Sequence, residues 1–350
     1  MGAVTANPGC FRIVSVRILF DHGNPFFLAH GGFQIQIEQT RLALERAGVQ
    51  VDWVRWWDSR QEGSLIHYFG RPQPAYLQQA SQKKIPVVFS DLLGGLGSRT
   101  AFLRWVQRGI IRAARTGLPN DFTTRMGWDS YRLAHRVVAL TAWEKQLMEE
   151  QFSAPAGRVI VVPNGVEDVF LQPSGEVSRE THLVTTMTIT ERKRSVELVQ
   201  AAALAKVRLR IIGSPYHPQD PYHLRFLAAL REASPWVEHV GGISDRAQLA
   251  REYRRAGGFV LLSGMESQSL SALEAAACGC PLLLSDLPWA KVSFGGQASY
   301  APLASPERTA PHLRQFAFNL AKAPRVTRVM GWDEVAGMLR EVYREAMTSR

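Results

Sequence analysis

Short apolar runs alternate with amphipathic stretches along this chain, and the alternation falls into two series. The first series holds β-prone runs at residues 12–20, 49–53, 64–69, 86–90 and 136–140. A stretch of helical period, residues 33–47, lies between the first two and is closed by Gly48, a glycine placed where helices commonly stop. The second series has runs at 182–186, 207–212, 236–240 and 259–262, separated by helical stretches at 195–205, 221–233 and 246–256. Short, wholly apolar strands alternating with helices predict a parallel sheet covered on both faces. The series break near residues 164–175, where Pro163, Asn164, Gly165, Pro173 and Gly175 interrupt either period. A last helix, 334–346, follows Gly331-Trp332-Asp333. The pattern therefore predicts an α/β protein of two doubly wound domains, residues 1–168 and 169–328, and a closing segment, 329–350. Ligands of such sheets bind at the carboxyl ends of the strands, so the expected site is a cleft between two facing sheets.

Composition narrows the class. Of 350 residues, 46% are hydrophobic and 21% charged, a globular balance. No apolar run approaches the ~20 residues that span a bilayer. The start of the chain lacks the basic-then-apolar order of a secretory leader. Three cysteines, Cys10, Cys278 and Cys280, form a sparse, odd set that suggests a reducing compartment, and the Cys278-x-Cys280 pair has no second pair at metal-ligand spacing. A cytoplasmic protein is expected. The formal net charge is +10, and residues 1–165 hold most of it, with 19 Lys and Arg against 12 Asp and Glu. A basic face suits nucleic acid, anionic lipid or an acidic substrate, and charge alone does not choose.

Candidate chemistry concentrates at residues 259–281, which read strand, polar loop, helix, Gly-Cys-Pro stop. Glu266 lies in the loop, Glu274 on the helix, and Ser267, Ser269 and Ser271 surround the helix start. Free amides at a helix start suit a phosphate, a loop carboxylate suits sugar hydroxyls, and a carboxylate on the helix suits a ribose diol. The spacing alone fits a capped βα unit with two solvated carboxylates equally well.

Two glutamates separated by seven residues, then Ala277-Cys278-Gly279-x-Pro281, resemble the donor motif of the retaining family-4 glycosyltransferases (glycosyl transferases group 1). Further stretches match that family in order: His30-Gly31-Gly32 before a helix; Val137 to Thr141, then Glu144-Lys145; Val161-Val-Pro-Asn164-Gly165-Val166 with Phe170; Ile211-Ile-Gly213; Val240 to Asp245 with Tyr253 and Ala256; and Gly331 to Tyr343. The resemblance implies the GT-B fold: two facing Rossmann-like domains, an N-terminal acceptor domain and a C-terminal donor domain, with a last helix crossing back to the first. It implies a retaining transferase that moves a sugar from a nucleotide carrier, UDP- or GDP-linked, to a hydroxyl of a glycan or lipid-linked acceptor. Residue by residue, it implies that Glu266 meets the transferred sugar, Glu274 the ribose hydroxyls, the Ser269 and Leu270 amides the diphosphate, and Lys193 the leaving phosphate. Gly32 stands where the N-terminal backbone closes over the phosphates, and Ser267 and Gly213 join the donor side. No cofactor is implied. The sequence contains no Asp-x-Asp, so a metal site on that pattern is not expected.

Three departures stand out. Met187-Thr188 occupies the place of the family's Gly-Arg pair, leaving Arg192 and Arg194 as substitutes for the missing arginine. Ser267-Gln268-Ser269 replaces Gly-Phe-Gly. Ser90-Asp91 stands where many members have a histidine, which makes Asp91 an acceptor candidate or a loop cap. His30 is a second acceptor candidate or a plain loop residue. Between Arg99 and Arg136 lie eight arginines and two acids. Arg104, Arg108, Arg112 and Arg115 share one helical face, with Phe102, Val106, Ile110 and Ala113 opposite. An ordinary surface helix packs by its apolar side. The scarcity of acids adds two functional readings, contact with an anionic membrane surface at the inner face of the membrane or recognition of an acidic acceptor. Rival classes are an epimerase or phosphorylase on the same scaffold, and a basic nucleic-acid-binding protein, for which no recognition motif is present.

Overall fold

The computed structural model describes residues 16–26, 31–117, 125–172 and 178–348. His30 and Cys10 lie outside them. The first sheet comprises β1 (Arg17–His22), β2 (Gln50–Trp53), β3 (Leu65–Phe69), β4 (Val87–Ser90), β5 (Arg136–Ala139) and β6 (Val159–Val161). The second comprises β7 (Leu183–Thr186), β8 (Leu209–Ile212), β9 (Val237–Gly241), β10 (Gly258–Leu261), β11 (Leu282–Ser285) and β12 (Ser299–Ala301). Their orders are β2-β1-β3-β4-β5-β6 and β12-β11-β10-β7-β8-β9, with every pair parallel.

The central strands are the apolar runs of the sequence. Phe259, Val260, Leu261 and Leu282, Leu283, Leu284 are all buried, as helices on both faces of a parallel sheet require. The two three-residue strands β6 and β12 have no period of their own; pairing with β5 and β11 makes them strands. Helix starts carry their caps: Thr141 accepts from the Glu144 amide, Asp220 from Tyr222, Asp245 from Ala247 and Ser269 from Ala272. In each sheet the strand order reverses once, between β1 and β3 and between β7 and β10. Such a reversal leaves a crevice at the strands' carboxyl ends.

The last helix, Trp332–Thr348, belongs to the core of the first sheet. Trp332, Val335, Leu339 and Tyr343 pack with Ile18, Phe20 and Ile37. Its Tyr343 hydroxyl lies 2.6 Å from His67 Nδ1, and His67 Nε2 lies 2.8 Å from Ser90 Oγ, so β3, β4 and the final helix meet at one imidazole. Arg46 bonds Asp333 at the rim.

Helix Ala101–Gly117 reverses the expected orientation. It packs by Ile111 and Ala114, while Phe102, Leu103, Trp105 and Ile110 face outward. Two arginines do the holding. Arg115 donates to the Trp128 and Phe152 carbonyls and pairs with Asp129, and the Arg104 guanidinium lies 4.7 Å from the centre of the Trp143 ring. Carbonyls and an aromatic face on the neighbouring elements satisfy Arg104 and Arg115, so these two cations lie with Ile111 and Ala114 against the body while Phe102 and Trp105 turn out.

Candidate functional site

The carboxyl ends of the two sheets face each other across a cleft of about 720 Å³. Its floor is the crevice between β7 and β10. The loops leaving these strands are bonded to each other: the Gly264 amide donates to the Arg192 carbonyl at 2.8 Å, and the Ser263 hydroxyl lies 3.3 Å from the same oxygen. A single 3-10 turn, Glu191–Lys193, follows β7, and Arg194 then takes a left-handed φ of +54° before helix Ser195–Ala205 begins. That conformation is uncommon outside glycine. It sends consecutive cations apart. Lys193 enters the cleft, whereas Arg194 reaches the Ala304 carbonyl at 2.6 Å. Arg194 is therefore removed from the set expected around the leaving phosphate, and Arg192 and Lys193 remain.

Both remaining cations hold Glu266. Lys193 Nζ lies 2.5 Å and Arg192 Nη1 3.0 Å from Glu266 Oε1, and the Lys193 and Glu266 side chains are each 11% exposed. Burial alone would push the Glu266 carboxyl up, but Lys193 and Arg192 outweigh it and hold the group below its ordinary value. Burial lowers Lys193, and Glu266 only partly offsets this. The Glu266 carboxylate is thus held ionised, with both cations on one of its oxygens.

Helix Leu270–Ala277 starts at the same wall. Its intrahelical bonds begin with the Leu273 amide on the Ser269 carbonyl, so the Leu270 and Ser271 amides have no intrahelical partner. Ser269, Leu270 and Ser267 line the cleft, and Gly32, at the start of helix Gly32–Arg46, faces Leu270 from the first sheet. A Cβ on Gly32 would stand 3.7 Å from Leu270 Cδ1, an ordinary contact distance. Gly213 follows β8 at φ +144°, and any side chain there would run into the Met187 carbonyl.

Glu274 lines the far end and is 4% exposed. Arg246 bonds its Oε1, and the Tyr253 hydroxyl donates to Oε2 at 3.3 Å. Arg246 also reaches Glu167 at 2.7 Å and lies over the Phe170 ring. Burial raises the Glu274 carboxyl, and Arg246 opposes that rise. Arg246 was not singled out in the sequence. A cation just after the Asp245 cap looks like an ordinary solvated helix start; only the fold brings Glu167 and Glu274 to it.

Asp91 does not face the cleft. Its carboxylate accepts from Arg71 at 2.9–3.0 Å, from the Tyr131 hydroxyl and from the Leu92 amide, in a buried clamp behind the loop. Of the two roles weighed for it, the geometry shows the loop cap. The loop it caps is itself a part of the site. The Gly94 amide donates to Ser267 Oγ at 3.0 Å, and a Cβ on Gly94 would meet the Glu266 carbonyl carbon at 2.7 Å. On the other side, the Asn164 amide donates to Gln268 Oε1 at 2.7 Å, and Asn164 Nδ2 donates to the Gln268 carbonyl at 3.3 Å. Thus Ser267 and Gln268, two of the residues that depart from the family pattern, tie the two sheets together over Glu266.

Residues 168–295 match the model of the family described as glycosyl transferases group 1. A D-inositol 3-phosphate glycosyltransferase of Kineococcus radiotolerans is 27% identical over an alignment of 258 residues that covers 62% of this chain and 58% of that relative. The chain thus spans under two thirds of that relative's length. A sucrose-phosphate synthase from Thermosynechococcus elongatus shares the fold at a TM-score of 0.69, with 16% identity, over 95% of this chain and 100% of that one. Anabaena HepE, solved in complex with UDP, also gives 0.69, with 13% identity, over 94% and 99%. Two six-stranded parallel sheets with this overlap are the GT-B fold, and within it residues 168–295 are similar to the glycosyl transferases group 1 family.

Proposed function

We propose that this protein is a retaining glycosyltransferase that moves a sugar from a nucleoside diphosphate to a hydroxyl of a glycan or lipid-linked acceptor, on the cytoplasmic side of the membrane and without a metal ion. One arrangement carries the reading: an ionised Glu266 held by Lys193 and Arg192, beside the start of helix Leu270–Ala277 and under Gly94. A diphosphate entering this cleft takes over Lys193, Arg192 and the free amides of the helix start, and the Glu266 carboxylate is released to the sugar hydroxyls. Fixed positive charge and preorganised amides stabilise the diphosphate as the glycosidic bond breaks. Retention draws its support from the resemblance to the family-4 enzymes: the acceptor attacks from the face the diphosphate leaves, and a diphosphate oxygen takes the acceptor's proton. A uridine carrier is the first choice, since HepE, of the same fold, was solved with UDP.

The test begins with UDP, GDP, ADP and TDP in a thermal-shift series, where the true carrier raises the melting temperature. With its sugar form as donor, the anomeric proton coupling of the product reports retention, and transfer continues in EDTA. Glu266→Gln abolishes transfer and keeps the nucleotide-induced shift. Full activity of that variant, an inverted product, or loss in EDTA restored by Mg²⁺ would each overturn the matching part of the proposal. Hydrolysis or phosphorolysis alone would return it to another enzyme of the same scaffold.

A further inference from the structure

Helix Ala101–Gly117 presents to solvent what helices normally bury. Phe102 is 68% exposed, Trp105 63%, Ile110 59% and Leu103 50%. The Phe102 and Trp105 rings stack at 6.1 Å, making one apolar ridge rather than scattered side chains. A contiguous apolar face of this kind marks an interaction surface. Its rim states the charge of the partner. Arg112 is exposed and Arg108 half-exposed, and neither makes an ion pair among the described residues. Arg104 and Arg115, by contrast, are spent on holding the helix to the body.

We infer that this face is a docking surface for an anionic lipid bilayer. A helix lying in the membrane interface buries an aromatic and aliphatic face among the acyl chains and sets its arginines among the headgroups. Tryptophan is favoured at that depth, because one part of the ring is apolar and its N–H is wet. A protein partner or a second copy of this chain would bring acids to the arginines and an apolar face to the ridge; an anionic leaflet supplies both over a surface of any size. Among the described residues, no helix is long and apolar enough to cross a membrane, so the contact is peripheral. The helix follows directly on the Gly94–Gly97 turn, whose first residue touches the Glu266 backbone. Docking by this face thus brings the acceptor side of the cleft to the bilayer. The inference concerns binding and does not depend on the sugar-transfer reading.

Sedimentation with vesicles tests it. Vesicles of phosphatidylcholine with about 30 mol% phosphatidylglycerol are expected to bind the protein at low salt at least about tenfold better than phosphatidylcholine alone, with binding weakened as salt rises. The double variant Phe102→Ser/Trp105→Ser is expected to lose at least about tenfold of that binding while keeping the parent's circular dichroism spectrum and urea-unfolding midpoint, which show it folded. Arg108→Gln/Arg112→Gln is expected to flatten the salt dependence. Absence of binding to the anionic vesicles, or binding untouched by Phe102→Ser/Trp105→Ser, would overturn the inference. So would a dimer in analytical ultracentrifugation that the double variant dissolves, since a second copy would then cover the face.

Discussion

At the scale of single residues, the site is a set of charges held in check by each other. The spacing put Glu266 in a loop and Glu274 on a helix, and only the family resemblance marked the two as a site. The partner of Glu274 was not legible. Arg246 stands 28 positions away and acts only through the packing of helix Arg246–Arg255 against Phe170. Removing Arg246 leaves Glu274 and Glu167 facing each other without a cation, and breaking such a pair costs about 3 kcal/mol. Arg246→Met is therefore expected to lower the urea-unfolding free energy by about that amount. Arg246→Met/Glu274→Gln is expected to recover part of it, because the orphaned carboxylate is then gone. If the single variant unfolds with the parent, the pair adds nothing to the fold, and Arg246 is free to serve the nucleotide.

Elements decide which of these residues meet. Strand and helix positions followed the apolar period closely: residues 259–262 and 246–256 of the sequence became β10 (Gly258–Leu261) and helix Arg246–Arg255. Loops and orientations did not. The Leu92-Leu-Gly-Gly-Leu-Gly97 run carries no period, yet Gly94 comes up against the Glu266 backbone. Likewise, the two faces of helix Ala101–Gly117 were plain in the sequence, but which face packs depended on carbonyls at Trp128 and Phe152, far along the chain. Gly94→Ala puts a methyl against the Glu266 backbone, so the loop must withdraw and the two sheets part. Misplacing a reacting group by about 1 Å costs on the order of 100-fold in rate. The variant is expected to lose transfer on that scale, with a larger radius of gyration in X-ray scattering and little change in melting temperature. Gly95→Ala is the contrast, because its Cβ would stand 3.4 Å from Met265 Sδ, an ordinary contact with a flexible side chain. Equal effects of the two alanines would remove the argument from close approach.

For the molecule as a whole, the two-series pattern predicted two doubly wound units and a closing helix, but not the device that fastens the helix. That device is His67, buried where β3, β4 and helix Trp332–Thr348 meet, with Tyr343 and Ser90 on its two nitrogens. A histidine inside an apolar strand gives no sign of its partners in the sequence, since both lie on other elements. Burial lowers its pKa to about 3 in the folded protein, against the 6.5 of a free imidazole. The folded protein keeps this ring neutral down to that pH, whereas the unfolded chain takes up a proton below 6.5. Stability from this group is therefore complete above pH 6.5 and is lost as the pH falls toward 3, at about 1.4 kcal/mol per pH unit. His67→Gln, which keeps a donor and an acceptor for Tyr343 and Ser90, removes the titration. Between pH 6.5 and 5, its urea-unfolding free energy should fall less steeply than the parent's by about 1.4 kcal/mol per unit. The difference isolates His67, because His135 and His182, whose values burial also lowers, titrate in both proteins. Parallel pH profiles would mean that the imidazole binds its proton in the folded state, and the closing helix would then be fastened by a charged group rather than a neutral one.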